Sequence, residues 1–174
     1  MEENQENSLI NENEAVLKKL YVKQSVNSIR GKYKVKDEQQ NVCYIAKGVW
    51  AWGSKLNIFD ANGQLLGVIK EQMATILAKY KIFNHNGELL TRVCSTAYFK
   101  QRYTLEDTFL KVRGSFFGYE FTINDGLYDV AKIKKAKFTF GDSYEISIMN
   151  LEHEFLVVCM VLILDLSNHE HHSS

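Results

Sequence analysis

Four lysines fall within residues 132–137: Lys132, Lys134, Lys135 and Lys137. Clustered ammonium groups are what an anionic phospholipid head requires, each contributing about 1 kcal/mol near a charged membrane. An ordinary solvated strand face gives the same composition, so placement decides between the two. Period two sets Lys132 and Lys134 outward, opposite Ile133, and Lys135 and Lys137 on Ile133's side unless a bulge intervenes. The other groups able to do chemistry form no catalytic set. Three of the five histidines lie in a short polar tail at residues 169–172, which offers a metal no preformed geometry. His153, between Glu152 and Glu154, reads as a rim residue rather than a general base. Residues 114–118 (GSFFG) are not a nucleophile elbow, and no histidine lies near them in sequence. Asp60, opening the segment DANG, lacks the downstream bidentate glutamate of a calcium loop; glycine-rich phosphate loops and HExxH are also missing. The expectation is a protein that is not an enzyme, with no catalytic residue, cofactor or metal. Trp50 and Trp52 are expected to pack in the core or at the end of a barrel, the alternative being a membrane-interface or partner contact.

The elements that position these residues come from the rest of the chain. Its 174 residues suffice for one domain with a sizeable core. Twenty-one basic residues balance 21 acidic ones, so no net field draws the chain to nucleic acid, and electrostatic binding must come from a local patch. Cys43, Cys94 and Cys159 are odd in number and lack CxxC spacing, which argues for buried, reduced thiols in a cytoplasmic setting. Residues 1–19 form an acidic, polar arm unlike a signal peptide.

From Leu20 onward a hairpin pattern repeats. Residues 32–36 (KYKVK) alternate strictly, and a polar turn leads to a second strand at 42–46. The same grammar returns at 55–59, turn DANG, 64–69, and at 79–83, turn NHNG, 88–93. Proline is absent, and Asn and Gly supply the positive φ that tight hairpins need. Tyr33, Leu56, Tyr80 and Tyr103 are equivalent positions, spaced by 23, 24 and 23 residues. Weaker copies begin at Arg102 and at Tyr119, the latter continuing as a strand over 127–133; a last pair covers 137–140 and 144–148. Short antiparallel strands at this density close into a barrel, which removes exposed edges.

Residues 155–164 are ten consecutive apolar residues, preceded by Asn150 as an N-cap. The run is too short for a membrane span and apolar on all sides, so a helix over 151–166 must be surrounded. Leaving it exposed would forgo about 15–30 kcal/mol at ~1.5–3 per side chain, more than the ~5–15 kcal/mol that holds a typical domain together. Hairpins can surround a helix only by closing around it. The fold expected is mainly β: a closed antiparallel barrel over residues 20–168 with one apolar C-terminal helix inside, followed by a polar tail at 169–174.

LYVKQ at 20–24, KYKVKD at 32–37, DANG at 60–63, GDSYEI at 141–146 and the apolar tail resemble the LURP-one-related family, which shares the Tubby C-terminal and phospholipid scramblase fold. The resemblance covers about residues 20–168 and implies twelve strands around a central helix. It also implies a non-enzymatic module that binds an anionic phospholipid or phosphoinositide head, or a protein partner, and that sits in the cytoplasm or peripherally on membranes. The alternatives are a scramblase-like lipid-handling protein, or a purely structural domain. The scramblase alternative needs membrane insertion, for which the one apolar helix is too short. A lipocalin-like carrier is disfavoured because the helix fills the lumen.

Overall fold

The computed structural model describes residues 15–25, 31–96, 102–115, 120–135 and 143–170. Twelve strands follow in order: β1 (Lys18–Gln24), β2 (Lys32–Asp37), β3 (Val42–Gly48), β4 (Lys55–Asp60), β5 (Leu65–Glu71), β6 (Lys79–Asn84), β7 (Leu89–Ser95), β8 (Arg102–Leu105), β9 (Lys111–Ser115), β10 (Glu120–Asn124), β11 (Asp129–Lys135) and β12 (Ser143–Ile148). Each pairs antiparallel with its neighbours, and β1 pairs with β12, closing the barrel. A 3-10 turn (Leu151–His153) then leads into helix α1 (Glu154–Glu170).

Local chemistry fixes the hairpins. Asp60 Oδ1 accepts from the N–H groups of Asn62 (2.9 Å) and Gln64 (2.8 Å), and Asn84 Oδ1 does the same for Asn86 (3.0 Å) and Glu88 (2.9 Å). Gly63 and Gly87 supply the left-handed residue, with φ of 87° and 82°. A register shift precedes the turn in each of these hairpins, at Ile58/Phe59 and Ile82/Phe83, as it does at Val35/Lys36. Such bulges strengthen strand twist, which a closed sheet needs. Asp37 and Asp125 serve their own turns. Hydrogen bonding from Asn41 holds the Asp37 carboxyl below its usual range, and the Tyr128 and Leu127 N–H groups do so for Asp125.

The inner wall is built by alternation, with Tyr33 and Val35, Leu56 and Ile58, and Tyr80 and Ile82 buried on successive repeats. Inside it α1 is covered on every side: Val157 through Leu164 are each at most 1% exposed. Phe155 lies against the wall at Gly67, where a Cβ would lie 2.8 Å from the ring and 2.5 Å from the Phe83 carbonyl oxygen. Polar contacts pin the helix at both ends. At its start Glu154 accepts from Lys18 (2.8 and 2.9 Å) and from the Tyr44 hydroxyl (2.7 Å), and burial together with Glu154 holds the Tyr44 phenol well above its usual range. Near its end the buried Asp165 accepts from Tyr33 (2.8 Å) and Tyr144 (2.9 Å). Ser167 donates to the Ile163 carbonyl (2.9 Å), so the Tyr80 hydroxyl donates to Ser167 (3.1 Å).

Several boundaries differ from the sequence reading. Asn150 does cap the segment, accepting from Glu152 N–H at 3.0 Å, but three residues of 3-10 helix precede α1, and α1 runs on to Glu170. Asp165 and Ser167 do not end it, because phenols from the wall satisfy them. The strand expected over 127–133 occupies Asp129–Lys135, since Leu127 and Tyr128 belong to the Asp125 turn. Strand β9 was not anticipated. Residues 137–140, expected as a strand, lie outside the described residues.

Two substitutions test this packing. Val161→Asp would place an unpaired charge in the axial helix at a cost of several kcal/mol, and loss of cooperative thermal unfolding is expected by circular dichroism. Gly67→Ala should lower stability by about 1–3 kcal/mol in urea titration, because both clashing atoms belong to well-packed elements.

Candidate functional site

Because neighbouring strands run in opposite directions, the barrel has two distinct ends. One carries the tight turns and the start of α1, with Asp37, Asp60, Glu88, Asp107, Asp125 and Glu152. The other carries the connections at residues 49–54 and 72–78 and the end of α1, and it is ringed by Lys32, Lys47, Lys55, Lys70 and Lys79. A zero net charge therefore conceals a charge-segregated molecule.

Of the lysines singled out in sequence, three are described. Lys134 points outward as expected; Lys132 is half-buried, and Lys135 lies on Ile133's side, its ammonium 5.6 Å from the Tyr144 ring centre. Acidic groups neighbour the first two: Lys132 is 3.5 Å from Asp129, Lys134 is 3.4 Å from Glu120, and Glu145 stands opposite Lys134 on β12. Lys137 lies outside the described residues.

A second basic array appears only once the strands are in register. Lys55, Lys70, Lys81 and Arg92 stand directly opposite one another across β4, β5, β6 and β7. All four occupy the outward face, alternating with the buried Leu56, Ile69, Ile82 and Val93. Like charges so placed destabilise a sheet. Arg92 is compensated by Glu106 at 3.2 Å, and its hydrogen bond holds the Glu106 carboxyl below the usual range. Among the described residues, no carboxylate lies within 4 Å of the ammonium groups of Lys55, Lys70, Lys79 or Lys81. Lys55, Lys79 and Lys81 lie in strands visible in the sequence and Lys70 just past the end of one, but adjacency across strands needs the register.

Next to Lys55 and Lys70 the two connections touch. Glu71 accepts from the Ser54 N–H at 2.6 Å, and Gly53 (φ 80°) sits against Met73, whose sulfur would be 2.6 Å from an added Cβ. Trp50 and Trp52, expected to be packed, are 82% and 92% exposed at this tip. The lumen is already filled by α1, which leaves an indole nothing inside to pack against. A cavity of 160 Å³ opens between this connection and the end of the helix, lined by Trp50, Lys55 and Leu166 among others.

The thiols depart from expectation in the burial of two of them, and not in being free. All three are free, and only Cys159 is buried; Cys43 and Cys94 are half-buried. Burial raises all three above the ordinary thiol range, and at Cys94 a hydrogen bond to Glu106 (3.4 Å) adds to the effect. No described group of three or more His, Cys, Asp or Glu is placed to hold a metal.

A twelve-stranded barrel closed around one apolar helix defines the class. Residues 18–165 match the LURP-one-related family, and the chain belongs to it. It is 22% identical over 149 residues to the uncharacterized protein YxjI of Bacillus subtilis (strain 168), covering 84% of this chain and 91% of that protein. The X-ray structure of a protein from Arabidopsis thaliana shares the fold, with a TM-score of 0.61 at 15% identity over 88% of this chain and 94% of the other.

Raised thiol pKa values have a direct consequence. Alkylation of Cys43 and Cys94 by iodoacetamide should be slower than that of a free thiol at pH 7.5, and its rate should keep rising with pH beyond the ordinary thiol pKa of about 8.5, where that of a free thiol levels off. Cys159 should react only after unfolding, as read by mass spectrometry.

Proposed function

We propose that the protein is a non-enzymatic module whose outer wall binds anionic phospholipid heads through Lys55, Lys70 and Lys81, with Arg92 at the edge of the row. The opposition of these four cations on adjacent strands carries the reading: it costs stability, and a phosphate-bearing ligand would offset that cost. The lumen supports the same conclusion, because α1 fills the space an internal ligand would occupy. No helix of the described residues is long and apolar enough to cross a membrane, and α1 is committed to the core, so binding at the surface is favoured over scramblase-like insertion. Lys132 and Lys134 are lesser candidates, since Asp129 and Glu120 already neighbour them.

Cosedimentation with phosphatidylcholine vesicles, with and without phosphatidylserine, tests the reading. Wild type is expected to pellet with the anionic vesicles and to be released by salt, as the Debye length shrinks from about 10 Å at 0.1 M to about 3 Å at 1 M. The variant Lys70→Glu/Lys81→Glu should lose binding without losing stability; its melting temperature should equal or slightly exceed that of wild type, because Lys55 and Arg92 then each face a glutamate. Lys132→Glu/Lys134→Glu should bind nearly as well as wild type. Equal pelleting with both vesicle types, or none with either, would assign the row to an acidic protein partner instead.

A further inference from the structure

We infer that the tip formed by residues 49–54 and 72–78 enters the interfacial layer of an anionic bilayer, so that the barrel stands on the membrane with this end down. The inference rests on the lipid-binding reading above and adds its geometry and its apolar half. Four apolar side chains project from these adjoining connections: Trp50 and Trp52 at 82% and 92% exposed, Ile76 at 87% and Met73 at 53%. Isolated exposed apolar residues need no explanation, but two indoles, an isoleucine and a methionine on two touching connections form a patch. Indoles favour the headgroup level of a bilayer, where the ring is buried and its N–H stays wet.

Charge selects the partner. Lys55, Lys70 and Lys79 flank the patch where the connections meet the strands, at the height where lipid phosphates would lie if the indoles were inserted. The opposite end also exposes apolar groups, Phe109 at 84% and Leu127 at 85%, but among Asp107, Asp125 and Glu152, which an anionic surface repels. Apolar exposure alone would not distinguish the ends; apolar exposure ringed by lysine does. The cavity beside Trp50 gives the connection room to settle against Leu166 as the indoles insert.

The chain supplies its own probe, because Trp50 and Trp52 are its two tryptophans. Intrinsic emission should shift to the blue on adding phosphatidylcholine vesicles containing phosphatidylserine, and lipids brominated near the headgroup should quench it. In cosedimentation, Trp50→Ala and Trp52→Ala should each weaken binding by about tenfold, with melting temperatures little changed because both indoles are largely exposed. Trp52→Phe should recover part of the loss. Vesicle binding with unshifted, unquenched emission, or binding that survives both alanine substitutions, would overturn the inserted tip while leaving lipid binding by the lysine row intact. No vesicle binding at all would overturn both readings. An emission shift caused by polyglutamate and not by vesicles would assign the tip to a protein partner, which also sinks the proposal.

Discussion

Helix α1 cannot be half-covered. Its side chains from Val157 to Leu164 point in every direction around the axis, so a single sheet or a partner helix would leave one side in water. Only a closed wall meets that requirement, and the other features of the fold follow from closure. The first strand must reach the last, which places Lys18 against Ile148. Polar groups at the two ends of the helix must find partners on the wall, which Lys18, Tyr44, Tyr33 and Tyr144 provide. Where the ring of Phe155 meets the wall the strand must yield, and position 67 is glycine.

Filling the lumen also directs the proposed binding outward. With the helix inside, the outer face and the connections at the rims are where the proposed contacts fall. The hairpin grammar sorts charge there. Strands β2, β4 and β6 begin with lysine, at positions 32, 55 and 79, and end in Asp or Asn, where the turn needs a side-chain acceptor. Antiparallel order then collects the lysines at one rim and the carboxylates at the other. Turn chemistry is thus one physical origin of the segregation that the proposed membrane face relies on.

The barrel and its axial helix were legible because both rest on signals local to the chain: period two with Asn-Gly turns for the wall, and an unbroken apolar run for the helix. Strand β9 escaped because its turn carries no Asn-Gly; Asp107 takes positive φ (62°) and Thr108 donates to the Leu105 carbonyl at 3.0 Å. The helix expected over 151–166 runs on to Glu170, past Asp165, whose partners Tyr33 and Tyr144 are remote in sequence. The site was less readable still. The lysines of residues 132–137 attract notice because they are contiguous, whereas Lys55, Lys70 and Lys81 become neighbours only through strand register. Exposure of Trp50 and Trp52 was hidden for a different reason: composition favours burying indoles, and only the filled lumen shows that none is available to them.

The central position of α1 sets the order in which the chain can be assembled. Lys18 and Glu154, which meet at the turn end, are 136 residues apart. At a synthesis rate of ~5–20 residues per second the wall waits roughly 7–27 s for the helix it must enclose. Until then the inward faces of the strands already made have no core to pack on, and the seam stays open because β12 itself is made only just before the helix. Eleven of the twelve strand pairings join consecutive strands and can form locally, so the β1–β12 seam and the packing of the helix are the contacts that come last. The nascent chain passes through a long stage as an open, apolar sheet, the species most prone to pair with a second copy of itself and the one a chaperone would have to hold.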